Sequence, residues 1–271
     1  MHKLLGDSVK LLAYDHNWDQ PQYPLDVLNW TPQGTFAGTA WHCYGGDMAS
    51  AMEQMHAAYP SVPQHVTECT GSYPNGVCDI SKGMESFGWN HEWDMSNILL
   101  GAASHWSSSG VKWIIALDEN CGPTLPDVSF TNGRPLVSIP SWATDAKDIH
   151  YNQDYYSIKH MSQFLTPQSW NVALNGTATK RNNNDQNKDS KKVQGNTEGN
   201  TVRVGTGLNS WGADLSQLIL ESFYTAETNT VTVIAMNKDH SNDMYLQVSQ
   251  GGVWFADTLP KFGTKVYQWQ K

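Results

Sequence analysis

The chain lacks the features that would assign it at once to a membrane or nucleic-acid-binding class. Its 271 residues contain no run of about 18 apolar residues, so the sequence predicts no transmembrane segment. Lys and Arg number 17 against 26 Asp and Glu, and the net charge is -9. No basic cluster lies on a periodic face, so a nucleic-acid partner is not expected.

Cysteine is scarce, and the four residues are Cys43, Cys69, Cys78 and Cys121. No Cys-x-x-Cys spacing of the kind that binds zinc occurs, and the sequence predicts neither a metal site nor a cofactor. Four cysteines permit three disulfide pairings. A Cys69–Cys78 bond would close a small loop beside Glu68, and free buried thiols are an equally open alternative.

The most informative stretch is 65–71, which places Glu68 where a short strand runs into a loop containing glycine. A (β/α) barrel presents catalytic residues at this point, at the carboxyl edge of its sheet. The preceding apolar run ends in the same way, in His42 and Tyr44. An ordinary loop carboxylate is the alternative for any single Glu. The repeated pattern instead predicts a carboxylate, an imidazole and a phenol at one mouth.

Apolar strands alternate with amphipathic helices over the first part of the chain. Met48, Met52 and Met55 recur at the spacing of a helix that packs on a sheet. Predicted strands are Val9 to Tyr14, Thr35 to His42, Pro63 to Glu68 and Val111 to Leu117, and predicted helices are Tyr23 to Leu28, Asp47 to Tyr59, Trp89 to Trp106 and Asp154 to Leu165. Since a closed barrel needs eight such units, residues 1–167 are predicted to form half of a TIM barrel.

Short alternating strands follow in residues 168–271. Val231 and Val233 alternate with Thr230 and Thr232, which is typical of a sheet with a buried face. Predicted strands are Trp170 to Leu174, Leu218 to Tyr224, Thr230 to Met236, Met244 to Val248 and Thr264 to Trp269. This part is predicted to be part of a β-sandwich. Residues 175–200 are nearly free of apolar side chains and predict a flexible polar loop.

Four sequence blocks resemble glycoside hydrolase family 30, which contains glucosylceramidases and fungal endo-β-1,6-glucanases. The blocks are Lys10 to Asp19, Trp41 to Tyr44, Thr67 to Gly71 and Ala116 to Pro123, in the family's order. The likeness extends from about residue 9 to the C-terminus, with an interruption near 176–205. It covers only the second half of the sequences of family members. The resemblance thus implies barrel strands five to eight followed by part of a side β-sandwich.

The resemblance implies that Glu68 is the nucleophile of a retaining glycosidase, at the end of barrel strand seven. The family's acid/base is a Glu that usually follows an Asn on strand four, and this chain has no matching motif. Residues that would bind substrate are His42, Tyr44, Trp113, Asp118, Trp18, Asn17 and Asp15. Among them, Trp18 would be a stacking platform, Trp113 would form a wall of the glycone subsite, and Asp118 stands where many relatives carry Asn.

Four other carboxylates of this chain are candidates to replace the missing acid. They are Glu85, Glu92, Asp94 and Glu119. Glu92 and Asp94 lie at a predicted helix start, where a carboxylate favours the helix dipole. Glu119 is predicted near the mouth, but it would reach Glu68 from the wrong side. The acid/base is therefore expected to be absent from this chain.

Two functions follow from this reasoning. The first is a retaining β-glycoside hydrolase acting on a carbohydrate or glycolipid such as β-1,6-glucan or glucosylceramide, present as a fragment that is inactive without the missing N-terminal half. The second is a non-catalytic carbohydrate-binding or structural relic. Met1 to Asp7 lack the apolar core of a signal peptide. The full-length protein is still expected outside the cell or in a secretory or lysosome-like compartment, and sequons at Asn29 and Asn175 are compatible with this.

Overall fold

The computed structural model describes residues 6, 8–73, 86–126, 133–167, 169–171, 190–192, 201–207, 210–211, 215–250 and 253–270. The chain divides into two compact units, Met1–Tyr156 and Ser157–Lys271. Each unit has its own sheets, and the two are described separately.

The first unit is built on a parallel four-stranded sheet whose strand order follows the chain. The strands are β1 (Leu12–Asn17), β2 (Gly38–His42), β3 (Gln64–Cys69) and β4 (Ser107–Lys112). Helix α1 (Gln22–Trp30) links β1 to β2, α2 (Met48–Ala58) links β2 to β3, and α3 (Phe87–Asn97) and α4 (Leu100–Ser104) precede β4. Parallel neighbours need such crossovers, so the predicted βα alternation is confirmed for these strands.

Helix α2 shows why the periodicity predicted a helix. Ala51, Met52 and Met55 are buried on one face. The Asp47 side chain accepts a hydrogen bond from Ser50 N at 2.7 Å, which satisfies a free amide of the first turn. The apolar spacing and the capping residue therefore both favour a helix that begins after Asp47.

The predicted single helix from Trp89 to Trp106 is wrong, because the chain forms two helices, α3 and α4, separated at residues 98–99. At the break, a Cβ on Gly101 would overlap the carbonyl oxygen of Ser96. The close approach of these two backbone segments therefore depends on glycine, which the apolar periodicity of the region conceals.

A small second sheet follows β4. It contains β5 (Ala116–Leu117), β6 (Val137–Ser138) and β7 (His150–Tyr151), with β6 in the centre, parallel to β5 and antiparallel to β7. Helix α5 (Gln153–Ser162) comes next. The predicted strand Val111 to Leu117 is thus divided between β4 and β5.

The second unit contains two antiparallel sheets. One has the order β16 (Thr264–Gln270), β13 (Thr230–Asn237), β12 (Leu218–Thr225) and β8 (Ser169–Asn171). The other contains β11 (Ser210–Trp211), β10 (Thr201–Gly207), β14 (Met244–Gln250) and β15 (Val253–Leu259), with β9 (Ser190–Lys192) also paired to β10. Leu220 and Val233 of one sheet share a buried cluster with Leu246 and Leu259 of the other. The core therefore draws side chains from both sheets.

The structure confirms a mixed α/β fold with a parallel sheet, while the half barrel and the β-sandwich remain predictions. Most of the predicted polar loop at 175–200 lies outside the described residues; at Ser190–Lys192 it is a strand. None of the helices in the described part of the chain is both long and apolar enough to cross a membrane.

Candidate active site

The carboxyl ends of β1, β2 and β3 lie side by side because these strands are parallel and adjacent. Asn17 is paired in register with His42, and His42 is paired with Glu68. Side chains at this edge of a parallel sheet converge on one surface, where α/β enzymes place their catalytic groups. Three of the residues predicted from the sequence therefore occupy neighbouring strand ends.

A phenol holds the Glu68 carboxylate. Tyr44 Oη donates a hydrogen bond to Glu68 Oε1 at 3.0 Å, and 48% of the Tyr44 surface stays exposed. Partial burial and the negative charge of Glu68 raise the pKa of Tyr44 well above its usual value, so the phenol remains a donor. Asn17 fixes the same loop, since its side-chain oxygen accepts a hydrogen bond from Tyr44 N at 3.0 Å.

Asp15 connects the other predicted residues of this edge. Its Oδ1 lies 3.1 Å from His42 Nε2 and accepts a hydrogen bond from Thr67 Oγ1 at 2.7 Å. The register of β1 shifts at Asp15, which has a φ of 72°, a left-handed conformation that Asp tolerates better than most residues. Asp15 therefore orients the His42 imidazole and the residue that precedes Glu68.

A disulfide joins the strand ends covalently. It links Cys43, which follows the last residue of β2, to Cys69, which follows Glu68 in β3. The Cys69–Cys78 bond considered from the sequence is therefore wrong. Cys121 is disulfide-bonded as well.

We expect the double variant Cys43→Ala/Cys69→Ala to lose about 3 kcal/mol of unfolding free energy, as removal of a cross-link over a loop of this size does. Alanine is chosen because Cys69 is completely buried and a serine hydroxyl would need a partner there. Urea unfolding followed by circular dichroism measures the loss. The single variant Cys43→Ala should lose nearly as much, and an unchanged midpoint in the double variant would contradict a stabilising role.

Trp18 is not a stacking platform, contrary to the expectation from the family resemblance. Its side chain is only 4% exposed, so the indole offers no free face to a sugar ring. Gly46, with a φ of 87°, packs against the backbone of Trp18 and Asp19, where a Cβ would overlap. That loop therefore packs closely on the backbone at Trp18, and the buried indole acts as a packing residue.

Trp113 and Asp118 follow the end of β4. Trp113 N donates a hydrogen bond to Cys69 O at 2.9 Å, and its side chain is 46% exposed, so an indole stands beside the end of β3. The Asp118 carboxylate accepts hydrogen bonds from the backbone amides of Asn120 and Gly122, at 2.8 and 2.7 Å. This carboxylate therefore stabilises the turn at residues 118–122. Its role on the aglycone side of the substrate stays a prediction.

Glu119 and Glu92 do not have the environment of a general acid. Both Glu119 oxygens accept hydrogen bonds from Ser141, one from its amide at 2.7 Å and one from its hydroxyl. These bonds lower the pKa of Glu119, whereas a general acid needs a raised one. Glu92 accepts a hydrogen bond from Ser96 one turn along α3. Glu85 lies outside the described residues.

The last candidate, Asp94, belongs to a buried charge cluster that the sequence reasoning missed. Asp94 Oδ1 contacts Lys112 Nζ at 3.2 Å and Arg134 Nη2 at 2.8 Å, and Asp154 contacts the same two cations. Although burial opposes ionisation, Lys112 and Arg134 keep the pKa of Asp94 low. Burial and the charge of Asp94 raise the pKa of Asp154 to about 7. Ion pairs between distant residues leave no local sequence signal.

Arg134 also supports the segment that follows Glu68. Its amide donates to Gly71 O and its Nη1 to Ser72 O, both at 3.1 Å, while Thr70 Oγ1 donates to Arg134 O at 3.2 Å. A Cβ on Gly71 would overlap the guanidinium, so glycine is required for this approach. The buried cluster therefore fixes the loop beyond the Glu68 carboxylate.

Across the described residues, no group of three or more His, Cys, Asp or Glu side chains is arranged to hold a metal ion. The chemistry that the edge residues offer is that of a carboxylate, a phenol donor and an imidazole–carboxylate pair.

Comparison with curated proteins found relatives that are named endo-1,6-beta-D-glucanases. The chain is 32% identical over 178 residues to the endo-1,6-beta-D-glucanase of Neurospora crassa, an alignment of 64% of this chain and 33% of that protein. It is 28% identical over 175 residues to the endo-1,6-beta-D-glucanase neg1 of Aspergillus fumigatus, over 64% and 31% of the two chains. The aligned region thus spans about a third of these relatives' length. No family model matches the chain.

Solved structures show the same fold. The endo-beta1,6-glucanase BT3312 aligns with a TM-score of 0.71 and 23% identity over all of this chain and 51% of that one. SrfJ from Salmonella typhimurium aligns with a TM-score of 0.68 and 16% identity over 99% of this chain and 49% of that one. At these identities the structures support the fold alone. Together with the sequence relatives, they confirm the resemblance stated from the four sequence blocks.

Proposed function

We propose, on the premise that this chain is related to the endo-β-1,6-glucanases of glycoside hydrolase family 30, that it carries the nucleophile side of the cleft of a retaining β-glucan hydrolase. The observation that carries the proposal is the Glu68 carboxylate at the end of a parallel strand, hydrogen-bonded by Tyr44 and fixed on both sides by neighbouring strand ends.

In this proposal Glu68 attacks the anomeric carbon of a glucosyl unit and the bond to the leaving oxygen breaks. A carboxylic acid about 5 to 5.5 Å away protonates that oxygen, and water then cleaves the glycosyl ester with the configuration retained. Tyr44 keeps one oxygen of Glu68 hydrogen-bonded, which leaves the other oxygen to attack. Because the Tyr44 pKa is raised, this donor persists across the working pH range.

The acid is proposed to come from outside the described residues. Glu119, Glu92 and Asp94 are each engaged in other contacts. In the described part of the chain, β1 pairs only with β2 and β4 only with β3, so both sheet edges are open to further strands. In this proposal an N-terminal half of the barrel supplies both the further strands and the general acid.

The proposed substrate is β-1,6-glucan, because the two curated relatives are both named for that linkage. Glucosylceramide is the competing substrate. The Cys43–Cys69 disulfide supports an oxidising compartment such as the extracellular space.

The isolated 271-residue chain is expected to hydrolyse neither substrate detectably. Loss of a general acid alone lowers rates by about 10²- to 10⁴-fold, and lost substrate positioning adds to this. Adding an N-terminal half from a family member, with its Asn-Glu pair, should restore release of reducing sugar from β-1,6-glucan.

The complemented protein carrying Glu68→Gln is the control and should stay inactive. Restored activity on glucosylceramide but not on β-1,6-glucan would contradict the proposal that β-1,6-glucan is the substrate. A complemented, folded protein that binds glucan without turnover would favour the non-catalytic alternative. Turnover by the chain alone that Glu119→Gln abolishes would place the acid within this sequence.

A further inference from the structure

Trp142 is a large apolar side chain in an unusual setting. It is 63% exposed and lies between β6 and β7. Single exposed apolar residues are common on protein surfaces, so exposure alone indicates nothing. The structure of the surrounding segment, 139–149, makes this indole different.

The segment is held on both sides of the indole. Before it, Ser141 donates both its amide and its hydroxyl to the Glu119 carboxylate. After it, Ala143 N donates to Pro140 O at 2.9 Å, and Asp148 Oδ2 accepts two backbone amides of the same segment at 3.1 Å. A ring on a fixed support loses little conformational freedom when it binds a ligand. The backbone that carries the Trp142 indole is therefore preorganised.

The segment is attached to the edge of the sheet that carries Glu68. Trp113 is hydrogen-bonded to Cys69, and Leu117, four residues on, accepts the amide of Ile139 at 2.9 Å. Four residues span at most about 14 Å. The segment that carries Trp142 is therefore tied to the chain that leaves the carboxyl end of β4, next to the strand end that carries Glu68.

We propose that Trp142 is an outlying sugar-binding platform that stacks on a glucose ring of a β-linked glucan. The apolar C–H face of such a ring complements an indole, whose face carries partial negative charge. Glu119 is a positioning residue for this platform, since its carboxylate fixes Ser141. The inference rests on the proposed function for the identity of the sugar.

Binding to β-1,6-glucan is measured by affinity electrophoresis of the 271-residue chain, with the polymer cast in a native gel. Trp142→Ala should weaken retention at least about fivefold, the effect of losing one aromatic contact. Trp142→Phe should keep most of the retention. Glu119→Ala should weaken it by less than Trp142→Ala, because the indole remains but the backbone that carries it loses its support at Ser141.

Trp30→Ala is the matched control. Trp30 is 75% exposed and ends α1, which leads back from the carboxyl edge to the start of β2. Its loss should leave retention unchanged, and circular dichroism verifies the fold of every variant. Equal retention of wild type and Trp142→Ala, or no retention of the wild type, would overturn the proposal that Trp142 binds the glucan. Trp142-dependent binding without turnover in the complemented enzyme would overturn the hydrolase proposal alone.

Discussion

Glu68→Gln in the complemented enzyme is expected to lower kcat on β-1,6-glucan by several orders of magnitude. The amide has nearly the shape of the carboxylate and can still accept the Tyr44 hydrogen bond, but it cannot form the glycosyl ester. Loss of a covalent nucleophile leaves only the contribution of binding and positioning. Initial rates of reducing-sugar release measure the effect, and circular dichroism checks that the fold persists.

Glu53→Gln is the control for the loss of a carboxylate elsewhere. Glu53 lies on α2 and accepts hydrogen bonds from His105 and Trp106, on the helix side of the sheet. This variant should retain wild-type kcat. If Glu68→Gln kept more than about a tenth of wild-type kcat, a barrier change under about 1.4 kcal/mol, Glu68 would not be the nucleophile. A fluoro-sugar label found by mass spectrometry on Glu92 or Glu119 would contradict the assignment equally.

The sequence predicted the elements that local patterns determine. The apolar spacing around Met52 and the cap at Asp47 are both within one helix, and β2 and β3 are short segments that each carry a polar residue of the site near the carboxyl end, His42 and Glu68. Strand β4 begins earlier than predicted because its first residues, Ser107 to Gly110, carry no apolar signal. Their backbone is ordered by pairing with β3, which only the fold reveals.

The site was predictable where strand ends alone determine it and not where loops meet. Glu68 lies at the end of β3 and Tyr44 just after the end of the adjacent β2, and they are in contact. The close packing on the backbone at Trp18 depends on the left-handed Gly46 of another loop. The disulfide partner of Cys69 likewise depends on how β2 and β3 align. Non-local packing decided each of these features.

Arg134→Met is expected to lower the unfolding free energy by about 3 to 5 kcal/mol, the cost of removing one partner from a buried ion pair. Asp94 and Asp154 would then share Lys112 alone, and the Ser72 carbonyl would lose its donor. Lys147→Met is the matched control. It removes a cation from the exposed pair with Asp145, at 3.8 Å, and should change stability by less than about 1 kcal/mol. Urea unfolding measures both.

The cost of Arg134→Met should also depend on pH, because of Asp154. Its pKa is raised to about 7, so the folded state binds a proton there that the unfolded state releases above its ordinary value of 3.8. The resulting contribution to stability is complete below that value and is lost as the pH rises through about 7. Without Arg134 the pKa rises further, so at pH 8 the folded variant must either hold a proton on Asp154 at a free-energy cost or bury two carboxylates with Lys112 as their shared cation. The variant should therefore lose less stability at pH 5 than at pH 8. An equal or larger loss at pH 5 would mean that Asp154 is already ionised in the folded protein there.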